Sequence, residues 1–575
     1  MERNKKEAVQ LLETIALYME IKGENPFKIS AFRKAAAALE RDERALTDIG
    51  DFTSIAGIGK GTAAVIQEWI ETGRSTVLEQ LKEEIPSGLF PLLKLPGLGG
   101  KKIAKLYQEL GIVDVDTLKA ACIEQKVRQL SGFGAKTEEK ILAALEAMNA
   151  RPDRLPLAFM LTVAEEVERQ LDNIKGIVRF SRAGSLRRMC ETIKDLDFII
   201  ATNEPTVVRE QLLQLKNVCD VIANGETKVS LQLKYDYPVN VDFRLVTPEQ
   251  FATTLHHFTG SKEHNVRMRQ IAKERGEKIS EYGVENSQTG EIITFPTEQA
   301  FFAHFGLPFI PPELREDGSE VDRYTEDDSL ISLKHIKGDL HMHSTWSDGA
   351  FSIAEMAEAC RKKGYRYIAI TDHSKFLKVA NGLTVERLKR QQEEIARLNE
   401  KYDDFVILSG IEMDILPDST LDYDDEVLES VDFVIASIHS AFSQPREVIM
   451  ERLKRALMNH HVDLIAHPTG RLIGQRDGYD VDIDMLIELA KETDTALELN
   501  ANPHRLDLTY EYLKKAQEAG VKIAINTDAH NIQMLDHMEI GVAFARKGWI
   551  RKETVINTWD LEQLKQFLQR HHVNS

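Results

Sequence analysis

Apolar positions follow a helical period at the start of the chain and a strand period through most of the remainder. Leu11, Leu12, Ile15, Ala16 and Met19 fall on one helical face, and the run from Ala35 to Leu39 extends a second helix. Residues 55–63, 95–104 and 130–137 share the order hydrophobic-x-Gly-hydrophobic-Gly, each followed by a helical run. These are internal repeats, built on Gly57 and Gly59, Gly97 and Gly99, and Gly132 and Gly134. Further on the period changes. Residues 177–180, 228–233 and 239–246 alternate as half-buried strands do. From residue 336, short apolar runs at 367–372, 405–410, 433–438, 464–466, 496–499 and 522–526 alternate with helical stretches. That alternation, over roughly two hundred residues, predicts a β/α barrel with its ligands at the C-terminal strand ends.

Composition sharpens the picture. The chain has 575 residues, 42% of them hydrophobic, enough for several domains with their own cores. The expected fold is multidomain: α-helical amino-terminal domains, an α+β middle, and a C-terminal β/α barrel. No window reaches the length of a membrane span, and the charged start lacks the apolar core of a secretory leader. Cys122, Cys190, Cys219 and Cys360 show no paired spacing, which suits a reducing cytoplasm. With 73 basic against 92 acidic residues the net charge is −19. This excludes nucleic-acid binding over the whole surface and leaves local sites built on backbone amides and a few cations. The acidic, proline-bearing stretch 311–328 reads as a linker.

Two regions carry candidate chemistry. Asp195 and Asp197 enter the apolar run Phe198-Ile199-Ile200, so on a strand both carboxylates face one point. Asp242 lies in a second alternating strand. Converging carboxylates take Mg²⁺ or Mn²⁺ together with substrate phosphates. The upstream Gly184-Ser185 turn, with Arg187 or Arg188, offers amides, a hydroxyl and a guanidinium to a phosphate. Taken alone, an Asp-x-Asp pair is equally a solvated strand end. In the C-terminal half, His341, His343, Asp348, His373, Glu412, His439, His467, Asp528 and His530 all fall at or just past strand ends. One such histidine is usually structural. The full set points to a cluster of two or three divalent metals, Mn²⁺, Zn²⁺ or Fe²⁺, that activates water against a phosphoester.

The three aspartates with Gly184-Ser185 resemble the palm of the family X DNA polymerases. The turn His257-Phe258-Thr259-Gly260-Ser261, followed by Asn265 and Arg269, is similar to that family's nucleotide-binding turn. The glycine repeats resemble helix-hairpin-helix motifs, whose exposed amides hold DNA phosphates without reading sequence. Residues 336–575 resemble the PHP (polymerase and histidinol phosphatase) domain. The resemblance implies a lyase-like helical domain at 1–85, a fingers-like domain at 86–150, and a nucleotidyltransferase palm at 151–247. A thumb at 248–318, a linker at 319–335 and a PHP phosphoesterase at 336–575 complete the plan.

The same resemblance implies roles. Asp195, Asp197 and Asp242 would be catalytic metal ligands. Arg154, Gly184, Ser185, Arg188, His257, Phe258, Gly260, Asn265 and Arg269 would surround an incoming dNTP. The implied protein is a monomer that fills short gaps in primer-template DNA during repair, joined to a 3′→5′ exonuclease. Abasic-site cleavage is a further capacity of relatives with this architecture. One position departs from the pattern: the lyase lysine of the first hairpin domain is replaced by Val65, with Lys60 nearby in the hairpin itself. Two rival classes are a phosphoesterase whose polymerase half only grips DNA, and an end-binding scaffold with both sites silent. The complete aspartate triad weighs against the first, and the full ligand set against the second.

Overall fold

The structure is a computed structural model that describes residues 5–570 apart from 43, 45, 47, 48, 96, 150 and 151; Pro96 of the second repeat therefore lies outside the described residues. The amino-terminal part is helical. Lys5–Lys22, Pro26–Arg41, Lys60–Thr72, Thr76–Glu84, Gly100–Leu110, Val115–Ile123 and Ala135–Asn149 gather around one apolar core. The second of these opens on Pro26, and Asn25 caps it by accepting from the Phe27 amide at 2.9 Å. Each repeat turns at a glycine with positive φ: 109° at Gly57, 79° at Gly97 and 86° at Gly132. An L-residue there costs about 1–2 kcal/mol. Gly59 and Gly99 then begin the helices Lys60–Thr72 and Gly100–Leu110.

A five-stranded sheet follows, in the order Ile177–Arg182, Leu196–Thr202, Pro238–Val246, Lys228–Lys234, Val218–Asn224. The pair Leu196–Thr202 and Pro238–Val246 is parallel; the other pairings are antiparallel. Helix Leu157–Leu171 turns Met160, Val163, Ala164 and Val167 onto it. The thumb packs Met268, Phe301 and Phe302 into a separate core. The stretch 311–328, expected as a linker, is built into that core through Leu314, Val321 and Tyr324, and its charges have buried partners. Arg315 pairs with Glu298 at 2.8 Å and Glu320 with His264 at 2.7 Å. Acidic, proline-bearing composition does not reveal such pairing.

Seven parallel strands in sequential order form the C-terminal barrel. First and last meet beyond their ends at a Met342–Ala529 bridge, and the Thr527 amide donates to Asp339 at 3.2 Å. Palm and barrel share one continuous apolar core. Arg471 of the barrel grips Glu191 of the palm with two hydrogen bonds, 3.1 and 2.7 Å. Asn381 on the barrel donates to the Glu40 carbonyl of the first helical domain at 3.4 Å. Among the described residues no helix is long and apolar enough to cross a membrane.

Candidate active sites

Parallel pairing sets Asp197 directly beside Asp242, and Asp195 shares the Asp197 face. Asn240 Nδ2 donates to Asp195 Oδ1 at 3.2 Å. Ser230 Oγ donates to Asp242 Oδ1 at 2.6 Å, and Lys228 Nζ lies 2.8 Å from Asp242 Oδ2. Burial, then the charges of Asp242 and Asp195, push the Asp197 carboxyl up to about 7. Such crowding of carboxylates is relieved by divalent cations, so the donor set fits Mg²⁺ or Mn²⁺. Gly184 has φ 61°, and a Cβ there would stand 2.3 Å from Asp197 Oδ2.

Gly184 and Ser185 open the short helix Gly184–Arg187, and Arg188 caps its end. Arg188 Nη1 donates to the Thr259 carbonyl. Its guanidinium lies 3.1 Å from where a Cβ on Gly260 would stand. Asn265 Nδ2 donates to the His257 carbonyl at 2.8 Å, and the Arg244 guanidinium sits 4.4 Å over the Phe258 ring. Burial, opposed by Glu281 and reinforced by Arg269 and Arg244, holds the His257 imidazole below its ordinary value. The structure thus gathers Arg188, His257, Phe258, Gly260, Asn265 and Arg269 around one turn, with Gly184 and Ser185 in the short helix that Arg188 caps. Arg187 is held by Glu298 and by Thr259 Oγ1 at 2.7 Å. Arg154 donates from Nε to Thr192 Oγ1 at 3.0 Å. It lines a cavity of about 540 Å³ between palm and barrel, with Glu316, Tyr510 and Lys547.

In the hairpins, nothing lies within 4 Å of where a Cβ would stand on Gly59, Gly97, Gly99, Gly132 or Gly134. The backbone is open there to a phosphate. At Gly57 a Cβ would meet that of Ala38 at 3.1 Å. Val65 lines a cavity of about 450 Å³ with Lys28, Thr62 and Val77. Lys22, on the same cavity, is paired with Glu24 at 3.3 Å and Glu84 at 2.5 Å.

The barrel brings its nine candidate residues together around Glu412 and Asp528. His341 Nε2 lies 3.4 Å from both Glu412 Oε2 and Asp528 Oδ1, and His343 Nε2 lies 3.5 and 3.1 Å from the same atoms. Nε2 of His439 and of His467 stand 3.2 and 3.0 Å from Glu412 Oε1. Asp348 Oδ1 is 3.6 Å from His373 Nε2 and 3.3 Å from His530 Nε2. His341 Nε2 and Glu412 Oε2 are buried with no hydrogen-bond partner, which is how free metal-donor atoms look.

Protonation follows the neighbours. His341 Nδ1 is 2.7 Å from Glu498 Oε2, and His439 Nδ1 is 3.1 Å from Asp414 Oδ1. His530 Nδ1 is 2.9 Å from the Asp528 carbonyl. Carboxylates and carbonyls only accept, so these Nδ1 atoms carry protons and Nε2 is left as the donor to a metal. Burial opposes charge on Glu412, yet His373, His439 and His341 hold its carboxyl well below the usual range. Burial likewise opposes a charged His439, but Glu412 and Asp414 push it up to about 10. Burial, His530 and His373 push His343 down to about 3. Glu498 and Asp414 were not anticipated as site residues. Their signal was available: each is a carboxylate inside a run of strand residues buried on both faces, where an unpaired charge is costly.

A nucleotidyltransferase-type palm with its thumb, tandem hairpins ahead of it and an imidazole–carboxylate barrel behind it define the class: a polymerase-type protein fused to a metallo-phosphoesterase. Family matches agree in order. Residues 3–75 match a helix-hairpin-helix domain, 90–147 a SAM-like helix-hairpin-helix tandem, 254–316 the DNA polymerase beta thumb and 339–502 the PHP domain. The chain is 64% identical over 568 residues to the DNA polymerase/3′-5′ exonuclease PolX of Bacillus subtilis (strain 168), covering 99% of this chain and 100% of that protein. It is 31% identical over 243 residues to a probable phosphatase of Thermoanaerobacter sp. (strain X514), covering 40% of this chain and 94% of that protein. This chain belongs to the PolX family, the family X DNA polymerases that carry a PHP domain and a 3′→5′ exonuclease.

Proposed function

We propose that the palm adds nucleotides at short gaps during DNA repair and that the barrel hydrolyses 3′ ends, with abasic-site cleavage a further reaction of the same barrel cluster. The observation that carries this division is the separation of two donor sets. Asp195, Asp197 and Asp242 lie on the palm sheet, and nine imidazoles and carboxylates lie at the barrel mouth. Asp195, Asp197 and Asp242 would hold Mg²⁺ or Mn²⁺, which supplies charge neutralisation for the transferring phosphoryl group. Asp242 takes the proton of the primer 3′-hydroxyl, while Gly184, Ser185 and Arg188 hold the triphosphate. His257, Phe258, Gly260, Asn265 and Arg269 form the wall against the incoming nucleotide, and Arg154 helps anchor the triphosphate from the palm edge. The open hairpin glycines grip the DNA backbone on either side of the gap.

In the barrel, His341, His343, Glu412 and Asp528 would hold one ion, and His439 and His467 with Glu412 a second. Asp348, His373 and His530 would hold a third. Ions of the Mn²⁺, Zn²⁺ or Fe²⁺ type supply an activated water there. Glu498 and Asp414 orient two of the imidazoles. The substrates are primer-template DNA and dNTPs, the working unit is a monomer, and the setting is the cytoplasm, in keeping with four free cysteines.

Gapped DNA incubated with Mg²⁺ or Mn²⁺ and dNTPs, scored for lengthening and shortening of the primer, tests the division. Asp195→Ala or Asp242→Ala should abolish lengthening and leave shortening. His341→Ala together with His343→Ala should do the reverse, by more than about a hundredfold, since even an outer partner costs ten- to a hundredfold. Metal content and melting of the double variant show whether the barrel still folds. Normal lengthening by both aspartate variants would refute the palm assignment.

A further inference from the structure

Lys547 ends the barrel helix His537–Lys547, and its side chain is only 4% exposed. It does not turn toward the barrel's metal donors. Its ammonium crosses into the polymerase half, donating to the Arg188 carbonyl at 3.3 Å and to Oε1 of Glu316. Glu316 stands at the end of the thumb, and its backbone carbonyl accepts from Ser261 Oγ in the nucleotide-binding turn. The same Glu316 Oε1 lies 3.5 Å from Arg188 Nε. That Nε is buried and has no hydrogen-bond partner. One carboxylate oxygen is therefore shared between two cations, and it is bonded to the lysine and not to the arginine.

We propose that Lys547 is a positioning residue for nucleotide addition. By drawing Glu316 away from Arg188, it keeps that guanidinium available to the dNTP triphosphate. It also ties nucleotide affinity in the polymerase half to a residue of the nuclease barrel. Without the ammonium, Glu316 has a guanidinium beside it and no competitor, so it closes a charge-assisted bond to Arg188. A triphosphate must then displace that carboxylate before it can use the arginine. The proposal rests on Arg188 contacting the triphosphate.

The test uses the full chain and gap-filling kinetics. Lys547→Met keeps the buried stem and removes the charge. It should raise the dNTP KM about tenfold, the scale of one hydrogen bond to a charged group. It should leave kcat within about twofold, because the interaction lost is one of binding. Shortening of a single strand should be unchanged. Lys547→Arg should keep the parent KM, and Lys547→Met with Glu316→Gln should return to it. A merely structural role predicts a double variant no better than the single one, with kcat falling alongside. Either that result or an unchanged KM in Lys547→Met overturns the proposal. Arg188→Ala separates the two layers: an unchanged KM there removes the premise, whereas a raised KM with Lys547→Met silent removes only the coupling. If Lys547→Met loses its nuclease, Glu316→Gln decides alone, since it alters no barrel residue. It should leave KM at or below the parent value, and a rise would overturn the proposal.

Discussion

Gly184→Ala tests the palm geometry at its tightest point. The perturbation is one methyl group. In the present backbone it would stand 2.3 Å from Asp197 Oδ2, where ordinary van der Waals contact begins at 3.4 Å. The carboxylate must retreat by about 1 Å, or the turn must move by as much. A misplacement of about 1 Å costs about a hundredfold in rate. The φ of 61° adds a separate cost of about 1–2 kcal/mol in stability. Single-nucleotide insertion into gapped DNA at saturating dNTP should therefore fall about a hundredfold, with 3′→5′ degradation unchanged. Melting of a Gly184→Ala, Asp197→Ala double variant distinguishes the two costs. The carboxylate that the methyl strikes is gone, so the double should lose less stability than the singles summed. Insertion by Gly184→Ala within twofold of the parent would mean that Asp197 does not act from the place the structure gives it.

In metal-free protein the Asp197 carboxyl, raised from 3.8 to about 7, holds a proton that the unfolded chain has already released. Folding stability should decline as pH rises from about 4 to 7 and stay low above it, and Asp197→Asn should flatten that decline in chemical denaturation with EDTA. Below pH 7, binding of Mg²⁺ to the palm must displace this proton, so its apparent affinity should weaken by about tenfold per pH unit, measured by titration calorimetry; an affinity independent of pH would contradict the assignment. Glu498→Gln should cost the barrel roughly ten- to a hundredfold in metal affinity or exonuclease rate while insertion is retained. Val65 stands where the family resemblance puts the lyase lysine, and Lys60 is the one lysine of helix Lys60–Thr72, so borohydride trapping of an incised abasic substrate should leave no strong adduct on that helix; an adduct mapped to Lys60 would show that the hairpin lysine has taken the role.

Much of this was legible because the periodicities are strong. Glycine repeats, alternating strands and the β/α rhythm each constrain local backbone, and the family resemblance joined them into one plan. Ligands two residues apart in extended chain, such as His341 and His343 just past the strand Gly338–Asp339, declare their common face in the sequence itself. Legibility failed where meaning depends on a distant partner. The carboxylate of Glu498 within an apolar strand signals a buried charge, but its partner His341, 2.7 Å from it, is 157 positions away. Arg315 and Glu320 read as linker charges until Glu298 and His264 are seen to bury them. The link from Lys547 to Glu316, across 231 positions, has no local signature at all.

The two sites differ in how they meet solvent, and that difference fits their proposed substrates. Asp242 keeps 28% of its side chain exposed at a sheet that is open on one side, as a site must be to admit both a duplex end and a nucleotide. In the barrel, His341 and His343 are fully buried and Glu412 is 1% exposed. Asp348 and His530, at 25% and 19%, are more open than His373, His439 or His467. Asp348 and His530 are thus the donors a phosphodiester would be able to approach from solvent, so it would meet the third proposed donor group first. Lys5 and Glu40 of the first helical domain line a cavity with Asp348 on that same rim. Were the proposed exonuclease to take its strand past this rim, unpaired 3′ ends should be shortened faster than fully paired ones, and equal rates on the two substrates would rule out that entry.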